Sequence, residues 1–352
     1  MAFDPPSTLK PAEVAVAMVE AAVMKHNTRY DKIFFKAFMA GVMLSFGGLL
    51  SEIIQGGAAG LNASNPGIVK VLGGFVFPVG LVMIVLQGQE LLTNNMMVFP
   101  MACIKGAVPW WGLLVNWIIV TFGNLVGCLF FAAILVKYTG IISTAPYDAF
   151  AVTFAMWVAR ARRGTESWLM VNSVILRHKA SDPEWHQIFL RGIGCNWLVS
   201  IAIWVRVLAR CAVCPSDKSV ASCRITRDDF EDLRDLDTDL AHPQIFVSAG
   251  YDHVVANMFS VPLGIMFHAD LTTAEYIRKS LIAAYIGNIV GALFVALPAV
   301  YFYLDDWRAA GLADAEAGEA FSNMEVERVK VSEVRSQTSD NGKSSDNGKR
   351  ED

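Results

Sequence analysis

The chain has 352 residues, of which 54% are hydrophobic and 18% charged, and its formal net charge is −4. So apolar a composition excludes an ordinary soluble fold unless the apolar residues gather into long runs, as they do here. The small net charge, with its acidic excess confined to two hydrophilic regions, implies no nucleic-acid partner.

In chain order, Asp4, Pro5 and Pro6 and a polar amphipathic stretch through Arg29 show no cleavable leader, so residues 1–34 are expected to be a cytoplasmic segment. Runs nearly free of charge and long enough to cross a bilayer follow at Phe35–Ile54, Gly67–Leu86, Val108–Val136, Phe189–Trp204, Ile245–Phe267 and Leu281–Leu304. Lys25, Arg29, Lys32 and Lys36 precede the first span, whereas the connection Gly56–Pro66 has no charge, which places the N-terminus in the cytoplasm. The expected organisation is a first three-helix repeat at 35–136, a connection at 137–186, a second repeat at 187–304, and a disordered cytoplasmic tail at 305–352.

Two motifs recur almost in register. Gly88-x-Glu90 with Asn95-Met96 matches Gly250-x-Asp252 with Asn257-Met258, an offset of 250 − 88 = 162. Gly123-Asn124-Leu125-Val126-Gly127 matches Gly287-Asn288-Ile289-Val290-Gly291, an offset of 287 − 123 = 164. A weaker match, Phe38-x-x-Gly41 with Phe189-x-x-Gly192, has offset 189 − 38 = 151, and would mean about eleven residues added in the second half before the next motif. Three spans per half is an odd number, so the second half enters the membrane with opposite orientation, and the pathway is expected between the halves.

Both Gly-x-acid motifs interrupt apolar runs with polar residues, so spans two and five are expected to be broken helices whose inner N-termini present free N–H groups to an anion. His253 is a neutral-range titratable group within an apolar span and is a functional candidate. Glu90 and Asp252 occupy matching positions, where they would tie the broken helices rather than meet an anion. Thr93, Asn196 and Asn257 are neutral donors that either orient a substrate or join helices. Cys211, Cys214 and Cys223 lack a fourth ligand at motif spacing, so no metal and no cofactor is expected.

These motifs, with Gly192-Ile193-Gly194-Cys195-Asn196-Trp197 and Glu90-Leu91-Leu92-Thr93, resemble the formate/nitrite transporter family over about residues 8–156 and 179–320. The resemblance implies an all-α membrane protein of six transmembrane helices arranged as an inverted 3+3 repeat, an aquaporin-like protomer, and a homopentamer in the lipid bilayer. It implies a central histidine at His253, a loop threonine at Thr93 and a vestibule lysine at Lys179. Constrictions would fall on Phe77 and Phe246 on one side, on Leu81 and Val199 on the other, and beside the loop at Leu91 and Leu92, the latter standing where the family has phenylalanine. The implied function is proton-linked passage of small weak-acid anions, without enzymatic activity, in the plasma membrane with both termini cytoplasmic. Tyr276-Ile277-Arg278-Lys279, similar to fungal members, favours nitrite over formate or another short-chain carboxylate. An aquaporin-like neutral-solute pore would need paired Asn-Pro-Ala motifs. A membrane enzyme would have to make an acid/base pair of His253 and Asp252.

Two stretches depart from the family pattern, the insert at 157–178 with Arg160, Arg162 and Arg163, and the hydrophilic insert at 205–244. Each lies at a Trp-Val pair, compatible with the start of an intron read as coding sequence, and codons for Thr226–Leu240 shifted by one base can read like the missing family segment. The alternative expectation is therefore a mis-spliced product with impaired transport.

Overall fold

A computed structural model describes residues 9–159, 184–209 and 244–304. Lys179, most of both atypical inserts and the tail beyond Leu304 lie outside the described residues. The chain divides into two compact units, Met1–Phe302 and Tyr303–Asp352, and the helical core belongs to the first.

The described residues are helical throughout, without strands. In order they are α1 (Pro11–His26), α2 (Tyr30–Gly57), α3 (Ala59–Ser64), α4 (Pro66–Val76), α5 (Pro78–Leu86), α6 (Leu92–Ile104), and α7 (Trp110–Phe130), which continues as a π-helical stretch Phe131–Tyr138. Then come α8 (Tyr147–Ala159), α9 (Trp185–Ala209), α10 (residues 244–249), α11 (Val254–Met266), α12 (Thr273–Glu275), a π-helical stretch Tyr276–Leu281, and α13 (Ile282–Tyr303).

Helices α2, α7, α9 and α13 are long and apolar enough to cross a membrane, as is the α4–α5 pair, which bends at Phe77-Pro78. The ends differ from the sequence expectation: α2 begins at Tyr30, and α9 extends from Trp185 to Ala209, so Val205–Ala209 continue a helix instead of opening a hydrophilic insert. The reason is that helical hydrogen bonding does not stop at a charged side chain, since Lys32 and Lys36 can lay their stems along an apolar face.

Both expected breaks are present. The chain leaves the helix after Leu86 and resumes at Leu92; it leaves again after residue 249 and resumes at Val254. Each break passes through a left-handed glycine, Gly88 at φ 61° and Gly250 at φ 78°, a conformation that side chains with a Cβ resist. Pro100 of α6 and Pro262 of α11 add another pair at the offset of the breaks, 262 − 100 = 162.

The register of the first span in each half differs from the sequence expectation. Asn124 Nδ2 donates to the Ala37 carbonyl at 2.8 Å, and Asn288 Nδ2 donates to that of Gly192 at 2.9 Å, an offset of 192 − 37 = 155. A Cβ on Gly123 would press on Phe34 and Ala37, and one on Gly287 would press on Phe189 and Gly192, again 189 − 34 = 155. Phe34, not Phe38, is thus the counterpart of Phe189. The Phe-x-x-Gly match at 151 slips by four residues, about one helical turn, which keeps the same helix face and so leaves the apolar pattern satisfied. The length added before the next motif is then 162 − 155 = 7, not eleven.

The repeat also extends to an element outside the expected spans. α1 packs on the inner half-helix α6, and α8 packs on α11. The buried faces are Val14, Ala15, Met18, Val19 and Ala22 in α1, and Ala151, Ala155, Val158 and Ala159 in α8. At 13 residues, α8 is about 20 Å long, too short to register as a crossing.

α6 and α11 are enclosed on nearly all sides, with Met96 through Cys103 and Val254 through Gly264 almost wholly buried. By contrast α2, α4, α7 and α13 expose large apolar side chains such as Phe46, Ile68, Phe75, Ile118, Phe122, Phe294 and Leu297. A chain apolar both inside and outside matches a lipid environment.

Candidate functional site

The two breaks meet at one contact. Thr93, in the first turn of α6, and His253, the N-cap of α11, are joined by Thr93 Oγ1 and His253 Nε2 at 3.1 Å, and both side chains are buried. The positive ends of two half-helices therefore converge on a threonine and an imidazole, in an environment where partial charges are weakly screened.

The rest of the His253 ring is committed as well. Its Nδ1 accepts the backbone N–H of Ala256 at 3.1 Å, capping α11. A neutral imidazole whose Nδ1 accepts must carry its hydrogen on Nε2, so Nε2–H donates to Thr93 Oγ1. Adding a second proton at Nδ1 would remove the acceptor and break the cap.

Paired asparagines hold the breaks open. Asn124 Oδ1 accepts the Leu92 N–H at 3.0 Å and its Nδ2 donates to the Glu90 carbonyl at 2.9 Å. Asn288 Oδ1 accepts the Val254 N–H at 2.9 Å and its Nδ2 donates to the Asp252 carbonyl at 2.9 Å. Backbone that has left the helix inside a bilayer is thus satisfied by a side chain of the following span.

The acids are tied in each half but differently. Glu90 Oε2 receives Asn95 Nδ2 and Lys25 Nζ, both at 2.8 Å, so α1 clamps the first break by an ion pair. Asp252 Oδ1 receives Asn257 Nδ2 at 3.2 Å, while its Oδ2 has no partner among the described residues. Trp117 Nε1 donates to the Asn95 carbonyl, and Tyr276 Oη donates to that of Asn257, each at 3.1 Å. Asn196 Nδ2 donates to the carbonyls of Thr93 at 3.2 Å and Asn288 at 2.8 Å, so its amide hydrogens are spent on the protein, while its Oδ1 has no partner among the described residues.

Beside His253 stands an aromatic pair. Phe246 stacks on the imidazole with centroids 5.7 Å apart, and Phe77 meets Phe246 edge-on at 5.5 Å. These rings lie in a pocket also lined by Glu52, Lys70, Trp157, Asp252 and Asn257. Leu81, Leu91, Leu92 and Val199 are buried, and none of them lines this pocket.

Sequence reasoning missed Lys25 as a partner, the α8 wall carrying Phe154 and Trp157, and the pocket residues Lys70 and Glu52. Two signals were available. A buried carboxylate in a span calls for a cation or hydrogen-bond donors, as Glu90 finds in Lys25 and Asn95, and an acid within an otherwise apolar run, such as Glu52, is functional until shown otherwise.

The formate/nitrite transporter family model matches residues 12–214 and 243–302, so the unmatched interior stretch is 215–242, narrower than the expected insert. A probable formate transporter of Methanothermobacter thermautotrophicus is 34% identical over 299 residues, covering 84% of this chain and 97% of that protein. The formate channel FocA of Haemophilus influenzae is 28% identical over 305 residues, covering 80% of this chain and 92% of that protein. Among solved structures, a pentameric formate channel with formate bound superposes with TM-score 0.56 at 25% identity, covering 78% of this chain and 98% of that one. The fold is the aquaporin-like protomer of these channels, an inverted repeat with two broken helices, and it is a fold of transport, not of catalysis. The chain is an integral membrane protein that belongs to the formate/nitrite transporter family.

Proposed function

We propose that this chain carries small monovalent weak-acid anions, nitrite first, through a pore in each protomer of a homopentamer in the plasma membrane, with a proton accompanying each anion and both termini cytoplasmic. The observation that carries the proposal is the junction of two half-helix N-termini at Thr93 and His253 behind the Phe77–Phe246 pair. Bare charge crosses an apolar constriction only at high cost, whereas a neutral acid crosses readily. An anion drawn in by a cation and then protonated meets both conditions.

Lys70 lies at the pocket and supplies such a cation; Lys179 is proposed for the same task. His253, capping α11 through Nδ1, acts as a neutral Nε2–H donor that orients the substrate with the Thr93 hydroxyl, because giving up its only hydrogen would leave an anionic ring. The accompanying proton therefore comes from elsewhere. Asn196 and Asn257 position Thr93 and Asp252 and border the path. Phe77 and Phe246 narrow one side of His253, and Leu81, Val199, Leu91 and Leu92 narrow the other. Glu90 and Asp252 tie the breaks at Gly88 and Gly250.

Nitrite is preferred on the Tyr276–Lys279 resemblance; formate is the second reading, since the relatives named above are formate transporters and channels. Labelled nitrite and formate uptake into cells lacking their own carriers, measured against external pH with and without His253→Ala, tests the proposal. Uptake should rise as the medium is acidified and fall strongly in the variant. Uptake indifferent to both would overturn the reading.

A further inference from the structure

We propose that Glu52 is the group that hands the proton to the anion at this pocket, an assignment that rests on the proton-linked reading above. Glu52 lies on α2 near the end that leads to α3 and is 5% exposed, yet it lines the same pocket as Phe77, Phe246 and His253. Its Oε2 is buried without a hydrogen-bond partner among the described residues. The nearest polar neighbours along the helix are engaged with each other: Gln55 Nε2 donates to Ser51 Oγ at 3.0 Å. A structural carboxylate in an apolar wall would be paired, as Glu90 is by Lys25 and Asn95. Glu52 is left open on the side where a substrate would pass.

The other titratable groups sharing this pocket are Lys70 from α4, and Tyr251, Asp252 and His253 from the second break. Among the further elements packed on α2, α5 and α7 bring no titratable side chain to the pocket, and α8 brings only Phe154, Trp157 and Val158. Asp252 also keeps one oxygen, Oδ2, without a partner among the described residues, but its Oδ1 is held by Asn257 and its backbone carbonyl by Asn288, so it belongs to the scaffold of the break, whereas Glu52 has no such tie to the break.

The step balances as a single proton transfer. An anion held near Lys70 meets the neutral Glu52 carboxyl. The Glu52 O–H bond breaks, an O–H bond forms on a nitrite or formate oxygen, and the products are a neutral acid and a carboxylate. The neutral acid passes Phe77 and Phe246, while the carboxylate takes a proton from hydronium at the pocket mouth and the cycle restarts. One proton travels with each anion, so transport is electroneutral. A negative Glu52 would also repel the next anion until reprotonated, which prevents futile entry.

The test uses the full-length protein in liposomes with an internal pH dye and nitrite as substrate. E52Q keeps the shape but cannot transfer a proton. It should lose about a hundred-fold of the rate at neutral pH, the low end for a positioned proton donor, with the loss shrinking in acid, where free nitrous acid bypasses the group. E52D should restore much of the rate. E52Q running at the wild-type rate at neutral pH overturns the assignment, whereas a wild type that moves nitrite without protons overturns the proposed function instead. Should E52Q not assemble, infrared difference spectra of the wild type decide: a neutral carboxyl band lost on adding nitrite and shifted in E52D supports Glu52, and the absence of such a band overturns it.

Discussion

Asn124 and Asn288 perform the same three-bond task in the two halves. Each accepts the first N–H of an inner half-helix and donates both to a carbonyl of the break and to a carbonyl of the facing span, at 2.8–3.0 Å. Both side chains are fully buried. Replacement by Leu keeps the volume but leaves the half-helix N–H and the carbonyl of the break unsatisfied in a water-free interior, and each orphaned group costs about 1–3 kcal/mol; the Ala37 and Gly192 carbonyls lose only a second bond, since each lies within a helix. Asn124→Leu and Asn288→Leu should each lower the thermal midpoint of the detergent-solubilised protein clearly, and by similar amounts. A large loss from one and none from the other would contradict the equivalence.

Lys25 and Glu90 carry the next prediction. Their ion pair is nearly enclosed, with side-chain exposures of 16% and 6%, and it joins residues 65 apart in sequence. Removing one partner of a buried pair costs about 3–5 kcal/mol, whereas replacing both by neutral groups is often tolerated. Lys25→Met should therefore destabilise strongly, Glu90→Gln less because Asn95 still reaches its amide oxygen, and the double variant should recover most of the loss. A double-variant cycle in thermal unfolding measures the coupling; additive losses would mean the pair contributes nothing of its own.

How far these features were legible in the sequence depends on what a pattern can carry. The breaks at Gly88 and Gly250 could be read because glycine and an acid inside an apolar run leave few other backbone solutions, and two copies exclude coincidence. The register of α2 against α9 is legible only to within one turn because Phe-x-x-Gly marks a face, and a face repeats every turn. Only the hydrogen bonds from Asn124 to Ala37 and from Asn288 to Gly192 distinguish one turn from the next. Lys25 carries no local sign of its partner, which lies 65 residues along the chain, and α8 at 13 residues is shorter than a span-length apolar run. The contact of Thr93 with His253 joins residues 160 apart and has no local signature beyond the polarity of each.

The two left-handed glycines should respond unequally to alanine. Gly88 has open space where a Cβ would stand, so Gly88→Ala carries only the left-handed penalty of about 1–2 kcal/mol. At Gly250 the same Cβ would also sit 2.9 Å from the Trp157 ring, which forms part of the pocket wall. Gly250→Ala should therefore disturb transport as well as stability, and Trp157→Ala should relieve part of the transport defect. Anion uptake normalised to folded protein is the measurement, and equal behaviour of the two alanine variants would remove the wall contact from the account.

The atypical stretches give the last prediction. The family match stops at 214 and resumes at 243, and within the expected insert Val205–Ala209 still continue α9. An inner half-helix like α11 needs an apolar partner half to complete the crossing, as the α4–α5 pair does for α6, yet the sequence leading into α10 is hydrophilic, with Arg227-Asp228-Asp229 and then Asp235, Asp237 and Asp239. So polar a stretch does not cross a hydrocarbon core about 30 Å thick. The missing apolar half should come from coding sequence displaced by a retained intron or a shifted frame. Sequencing of the mature transcript should reveal a message in which 160–178 is absent and 215–242 is replaced by an apolar segment continuous with α10, while Trp157–Ala159 of α8 and Val205–Ala209 of α9 are kept. A transcript encoding both stretches unchanged would sink that reading, and the protein as written should then show weak uptake, because a hydrophilic stretch stands where an apolar entry half would lead to His253.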